Sequence, residues 1–126
     1  MERILKFIND EMESIGIPYE FDEWKSPVVY PYWVGELGGE SITTEDGQEQ
    51  VVILLTGFQR GNMIDLLSAV NRIKNHFPAV YGLRGAIDGC TIAAYYDGML
   101  PIPSGEADLK KVQINLKVNA WKGAVE

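Results

Sequence analysis

Outside its carboxylates, few residues of this chain could do chemistry. It holds one cysteine, Cys90, one histidine, His76, and 18 Asp and Glu side chains. A hydroxyl or thiol nucleophile would have to draw on His76 as its base. That histidine follows Arg72 and Lys74 in what reads as the last turns of a helix, where cations favour the negative end of the helix dipole. It is therefore expected as a polar helix-end residue rather than a catalyst. Cys90 opens an alternating apolar stretch and is expected to pack as a small apolar group. One cysteine and one histidine are too few for zinc. No glycine-rich phosphate loop ends in lysine, and no dinucleotide fingerprint is present. Two carboxylates working as acid and base are the one catalytic arrangement the composition leaves open. The expectation is a protein that is not an enzyme and uses no cofactor and no metal.

Two clusters point instead to contact surfaces. Five acids, Glu36, Glu40, Glu45, Asp46 and Glu49, gather around the glycine-bearing stretch 37–48. Their spacing does not fit a calcium loop, where oxygen ligands fall at nearly every second position around a glycine. The stretch reads as a loop between two strands, either solvated or facing a partner or a channel. Aromatics crowd residues 19–33 beside Pro27 and Pro31. They read as core and edge cover or as a subunit interface, where aromatics are enriched. Tyr30, Tyr32 and Trp33 are the candidate interface residues here. Met99, Leu100 and Ile102 are the candidates in the 99–105 stretch, whose apolar content is high for a solvated loop. The alternative is a small-ligand pocket between helices and sheet, lined by Trp24, Tyr30, Tyr96 and Trp121.

The elements that must position these residues are legible from periodicity. From 112 to 120, Val112, Ile114, Leu116, Val118 and Ala120 alternate with Gln113, Asn115, Lys117 and Asn119. A period of two over this length means a long strand with one buried and one wet face. A one-residue slip would expose every aliphatic, so its register is strongly specified. Residues 2–15 carry Ile4, Leu5, Ile8, Met12 and Ile15 at helical spacing, with Gly16 and Pro18 as stops. A strand is expected over 28–36, at an edge or bulged because Pro27 and Pro31 cannot donate to a ladder. The aliphatic run Val51, Val52, Ile53, Leu54, Leu55 predicts a central strand covered on both faces. Asn62 is placed to cap a second helix, with Asp65 three residues on. That helix would bury Met63, Leu66, Leu67, Val70, Ile73 and Phe77 and end at Pro78. Residues 79–88 read as a connection, 90–96 as a strand ended by Asp97-Gly98, and 99–105 as a loop. The expected fold class is a single α+β domain over residues 1–126, in the order α-β-β-α-β-β. Its sheet would be mostly antiparallel with two helices packed on one face.

The totals bound the partners. The formal net charge is −7. This opposes general affinity for nucleic acid, which needs clustered Lys and Arg. A single cysteine forbids an intrachain disulfide. No apolar run approaches the roughly 18–20 residues that span a bilayer. The N-terminus lacks a signal-like apolar block, so the chain is expected to be made and kept in a cytoplasm.

In size and element order the chain resembles the tail terminator and tail-completion (head-tail joining) proteins of long-tailed bacteriophages. Three phrases carry the resemblance further. They are Trp24-Lys25-Ser26-Pro27-Val28-Val29-Tyr30-Pro31-Tyr32-Trp33-Val34-Gly35-Glu36, then Leu55-Thr56-Gly57-Phe58, and the strand from Val112 to Trp121. The resemblance implies a structural phage or prophage protein in the virion tail or neck. It would form a homo-oligomeric ring, commonly hexameric, on the head-proximal end of the tail tube. Its partners would be its own copies, the tail tube protein and the head connector protein, with DNA only as passing cargo and no membrane. Another phage neck protein is the neighbouring alternative.

Overall fold

The computed structural model describes residues 2–40, 48–87 and 89–122. Two helices and six strands follow in the order α1 (Glu2–Ser14), β1 (Tyr19–Phe21), β2 (Tyr32–Glu40), β3 (Glu49–Arg60), α2 (Ile64–His76), β4 (Leu83–Ile87), β5 (Cys90–Ile102) and β6 (Leu109–Lys122). The strands form one sheet in the order β1-β2-β3-β6-β5-β4. The β1–β2 pair is parallel; the pairs β2–β3, β3–β6, β6–β5 and β5–β4 are antiparallel.

This overturns the expected α-β-β-α-β-β plan of two helices on a mostly antiparallel sheet. The order is α-β-β-β-α-β-β-β, and the sheet is mixed. Both missed strands have a physical reason. β1 has three residues, too few to show a period. β4 carries Gly85, which reads as a break in sequence. In the fold Gly85 lets Phe7 of α1 lie across the strand, and a Cβ there would come within 2.6 Å of the ring. Phe7 itself, absent from the expected helix stripe, is buried.

The central strand behaves as its alternation predicts. Val112, Ile114, Leu116, Val118 and Ala120 of β6 are all buried. They share a core with Ile4, Phe7, Ile8 and Met12 of α1, with Leu66, Ala69, Val70 and Ile73 of α2, and with Val51, Ile53 and Leu55 of β3. Register explains the match. Ile53 pairs with Leu116 and Leu55 with Ile114, so the inward residues of the two strands stand side by side. In α2 Leu66, Val70, Ile73 and Phe77 are buried as the spacing predicts, while Leu67 is exposed and Ala69 is buried in addition. Asn62 does cap this helix, its Oδ1 accepting from the backbone N–H of Ile64 at 3.0 Å and Asp65 at 3.4 Å.

The helices are also tied to each other. His76 Nε2 lies 2.7 Å from Glu11 Oε1, and the Arg72 guanidinium donates to the Ile15 carbonyl. His76 is thus a helix-end residue that anchors α1. Cys90 is buried, with Arg3 Nη1 3.2 Å from its sulfur.

Three further expectations change. The strand expected at 28–36 runs instead from Tyr32 to Glu40, and β1 pairs with its first half, so Pro27 and Pro31 precede the ladder. Residues 37–40 therefore belong to the sheet, with a bulge between Leu37 and Gly39. Asp97-Gly98 does not end β5. It makes a bulge between Tyr96 and Met99, and pairing with β6 resumes to Ile102. A bulge reads in sequence as a stop because both give a DG-type signal.

Candidate functional site

The aliphatic run in β3 is covered on one face only. Val51, Ile53 and Leu55 are buried, whereas Val52 and Leu54 are half-exposed on the opposite face. That open face carries the functional candidate. Pairing puts Tyr32 beside Phe58, Val34 beside Thr56 and Glu36 beside Leu54. It continues from Phe58 to Lys111 and from Thr56 to Gln113 in β6, and from Lys111 to Ile102 in β5.

Side chains from these four strands floor a cleft of about 390 Å³. Asp22, Glu23 and Trp24, from the turn after β1, close one side of it. The turn is held by short-range bonds rather than by a regular element. Asp22 takes a left-handed φ of 76° and donates its N–H to the Gly35 carbonyl at 2.7 Å. Lys25 N–H donates to Glu20 Oε1 at 2.8 Å, and Trp24 Nε1 to the Pro27 carbonyl at 3.4 Å. Hydrogen bonds from the Ser26 side chain first, then from the Lys25 backbone, hold the Glu20 carboxyl below the usual range.

Aromatic contacts run through the cleft in series. Trp24 tilts against Tyr32 with centroids 4.9 Å apart, and Tyr32 stacks on Phe58 at 4.8 Å. Tyr30 leans on Tyr32 from outside at 5.6 Å. Lys111 Nζ lies 5.4 Å from the Phe58 centroid, a cation–π contact. Burial, and then the neighbouring Tyr30, pushes the Tyr32 hydroxyl pKa up, so that ring stays neutral in ordinary buffers. Three carboxylates, Asp22, Glu23 and Glu36, line the cleft against the single ammonium of Lys111. Among the described residues none of those three is in an ion pair.

Beside the cleft stands an apolar ledge. Val28 is 56% exposed, Val29 48% and Tyr30 42%. The ledge is braced at one end. Arg60 Nε donates to the Tyr30 hydroxyl at 3.4 Å, while Arg60 Nη1 pairs with Asp108 at 3.0 Å and Glu106 at 3.5 Å.

The sequence candidates divide accordingly. Tyr30, Tyr32, Ile102 and Glu36 come together on this face. Leu100 lies on it too, exposed and opposite Gln113. Met99 points the other way and packs partly buried against the core. Trp33 is fully buried across Gly57, where a Cβ would meet its ring at 2.6 Å, so it is a core residue of this chain. Glu40 ends β2, and Glu49 opens β3 half-buried. Glu45 and Asp46 lie outside the described residues.

The ligand pocket expected between helices and sheet is not assembled. Trp24 and Tyr30 flank Tyr32 on the open face. Tyr96 packs against the core with Lys74 Nζ 5.8 Å from its ring, and Trp121 pairs with Thr91 at the other end of β6. Sequence reasoning missed Asp22, Glu23, Phe58, Lys111 and Gln113 as members of one site. Phe58 and Lys111 were legible only through the β3–β6 register, which sequence spacing does not fix. Among the described residues no group of three or more His, Cys, Asp or Glu could hold a metal ion. Nor is any helix among them long and apolar enough to cross a membrane. No family model matches the chain, and no curated protein matches it significantly.

Proposed function

We propose that this chain is a structural subunit of a long-tailed phage or prophage. It would sit as a ring, hexameric by resemblance, on the head-proximal end of the tail tube, stop tube polymerisation and allow the head to attach. The observation that carries this reading is the braced ledge of Val28, Val29 and Tyr30 beside an open sheet face. Contiguous apolar side chains held in place at the surface are what a subunit presents to a neighbour. Leu100 adds to it on the same face, and Ile64, Leu67, Val80 and Tyr81 are further large apolar side chains left in solvent. A chain of net charge −7 suits a passage that must release DNA. The corrected element order removes one support of the resemblance; the size and the quoted phrases remain.

The test is electron microscopy of particles from a phage or prophage with a stop codon in this gene. Overlong, headless tails beside filled heads are the expected outcome. Tails of normal length lying unjoined beside full heads would assign the chain to the neck junction instead. Intact infectious particles would refute both.

A further inference from the structure

We infer that residues 28–30 are a donor strand that adds to the β4 edge of a second copy of this chain, head to tail. Both halves of the contact are present on one molecule.

The donor is a straight and unpaired stretch of backbone. Residues 27–29 neither turn nor bend, and the chain bends at Tyr30. Pro27 and Pro31 bias the residues before them, Ser26 and Tyr30, towards extended backbone. Among the described residues no backbone N–H or C=O of Val28, Val29 or Tyr30 has a hydrogen-bond partner. All three side chains are exposed. Alternate residues of an extended chain direct their backbone groups to opposite sides. Positions 27 and 29 share one side. There Pro27 has no N–H, and its carbonyl already accepts from Trp24 Nε1 at 3.4 Å. Val28 and the Tyr30 N–H face the other side, which is free to join a ladder. The proline side suits an outer edge, so the sheet would grow by one strand and stop.

The acceptor is β4. It is an edge strand paired only with β5, so every second residue directs its N–H and C=O away from the sheet. It lacks proline, and Arg84 is its one charged residue, so little guards it against pairing. Leu83 and Ile87 pack against the core but are only partly covered. A valine laid beside them would extend that cover. The opposite edge, β1, has only three residues.

The two halves cannot meet within one molecule. The donor is anchored at the far side of the sheet by the Tyr30–Tyr32 contact and by the Arg60 bond to the Tyr30 hydroxyl. Strands β3, β6 and β5 lie between β2 and β4, about 19 Å of sheet at the usual strand spacing. A donor at one end and an acceptor at the other make a heterologous contact, which closes into a ring where its rotation closes. The second copy as partner deepens the ring reading above and rests on it. The strand pairing itself can be tested on the isolated protein.

The test is a ¹⁵N NMR titration of the full chain with the capped peptide acetyl-Lys-Ser-Pro-Val-Val-Tyr-Pro-Tyr-amide, which copies residues 25–32. Three further peptides carry a single backbone N-methyl group, at the position of Val28, Val29 or Tyr30. The parent peptide is expected to shift the amide resonances of Leu83–Ile87 saturably. N-methylation at Val28 or Tyr30 removes a ladder donor and should weaken binding about tenfold or more. At Val29 it should change binding less than about twofold, because that N–H faces away from the ladder. Absence of any shift at millimolar peptide, or shifts confined to Tyr19–Phe21, would overturn the assignment. Equal effects of all three N-methyl groups would also overturn it, since side-chain contact alone would then account for binding. A failure here leaves the ring reading to the microscopy of tails, because a ring can be closed by other contacts.

Discussion

Tyr19 shows how one side chain can be both well packed and poorly satisfied. Its ring covers Gly35 of the neighbouring strand, and its hydroxyl is buried with no hydrogen-bond partner among the described residues. An orphaned buried hydroxyl costs on the order of 1–3 kcal/mol. Tyr19→Phe keeps the ring and removes the hydroxyl, so it should stabilise the protein by about 1 kcal/mol in urea denaturation. Destabilisation would mean that the hydroxyl has a partner. Burial pushes the Tyr19 pKa well above its usual value. Above pH of about 10 the unfolded chain releases the phenolic proton and the folded chain does not, so stability is lost as pH rises. Tyr32 and Tyr96 are raised in the same direction. The alkaline decline should therefore be shallower, not abolished, in Tyr19→Phe. An unchanged slope would exclude Tyr19 as a source.

At the scale of elements, aromatic–glycine pairs recur. Trp33 of β2 lies over Gly57 of β3, Phe7 over Gly85, Tyr19 over Gly35 and Tyr95 over Gly82. Each glycine weakens its strand or turn locally, and each ring fills the space that a Cβ would need. Gly57→Ala forces the fully buried Trp33 to move and should cost about 2 kcal/mol, in the range of overpacked cores. Equilibrium denaturation monitored by tryptophan fluorescence measures it; a change below about 0.5 kcal/mol would show that the ring relaxes freely. The same pairs explain what the sequence did and did not reveal. The β6 alternation and the α1 and α2 stripes were readable because one face of each meets water. β4 was unreadable because Gly85 imitates a turn, and β5 seemed to end at Asp97-Gly98 because a bulge imitates one as well. Tyr30 and Tyr32, crowded near the prolines, lie on the open face of the sheet. Trp33, one residue on, faces the core because side chains alternate along a strand. Phe58, Lys111 and Gln113 join the cleft only through cross-strand register.

For the whole molecule, the open sheet face and the ledge are features that a free-standing subunit has little reason to keep. Exposed apolar side chains in contiguous groups favour association, and a chain that retains them is stabilised by being covered. The negative charge fits such a role, since it keeps free subunits apart until a specific surface overcomes the repulsion. The central claim is that the 28–30 ledge is an assembly contact in a tail ring. The most direct test introduces Val28→Glu/Val29→Glu into a phage carrying this gene and counts particle forms by electron microscopy. The purified variant should first be shown to unfold at the wild-type midpoint, because both side chains are exposed. The account predicts overlong, headless tails, the outcome expected of the stop-codon mutant; normal-length unjoined tails would move the ledge to the neck junction. Normal virions at wild-type titre would contradict it.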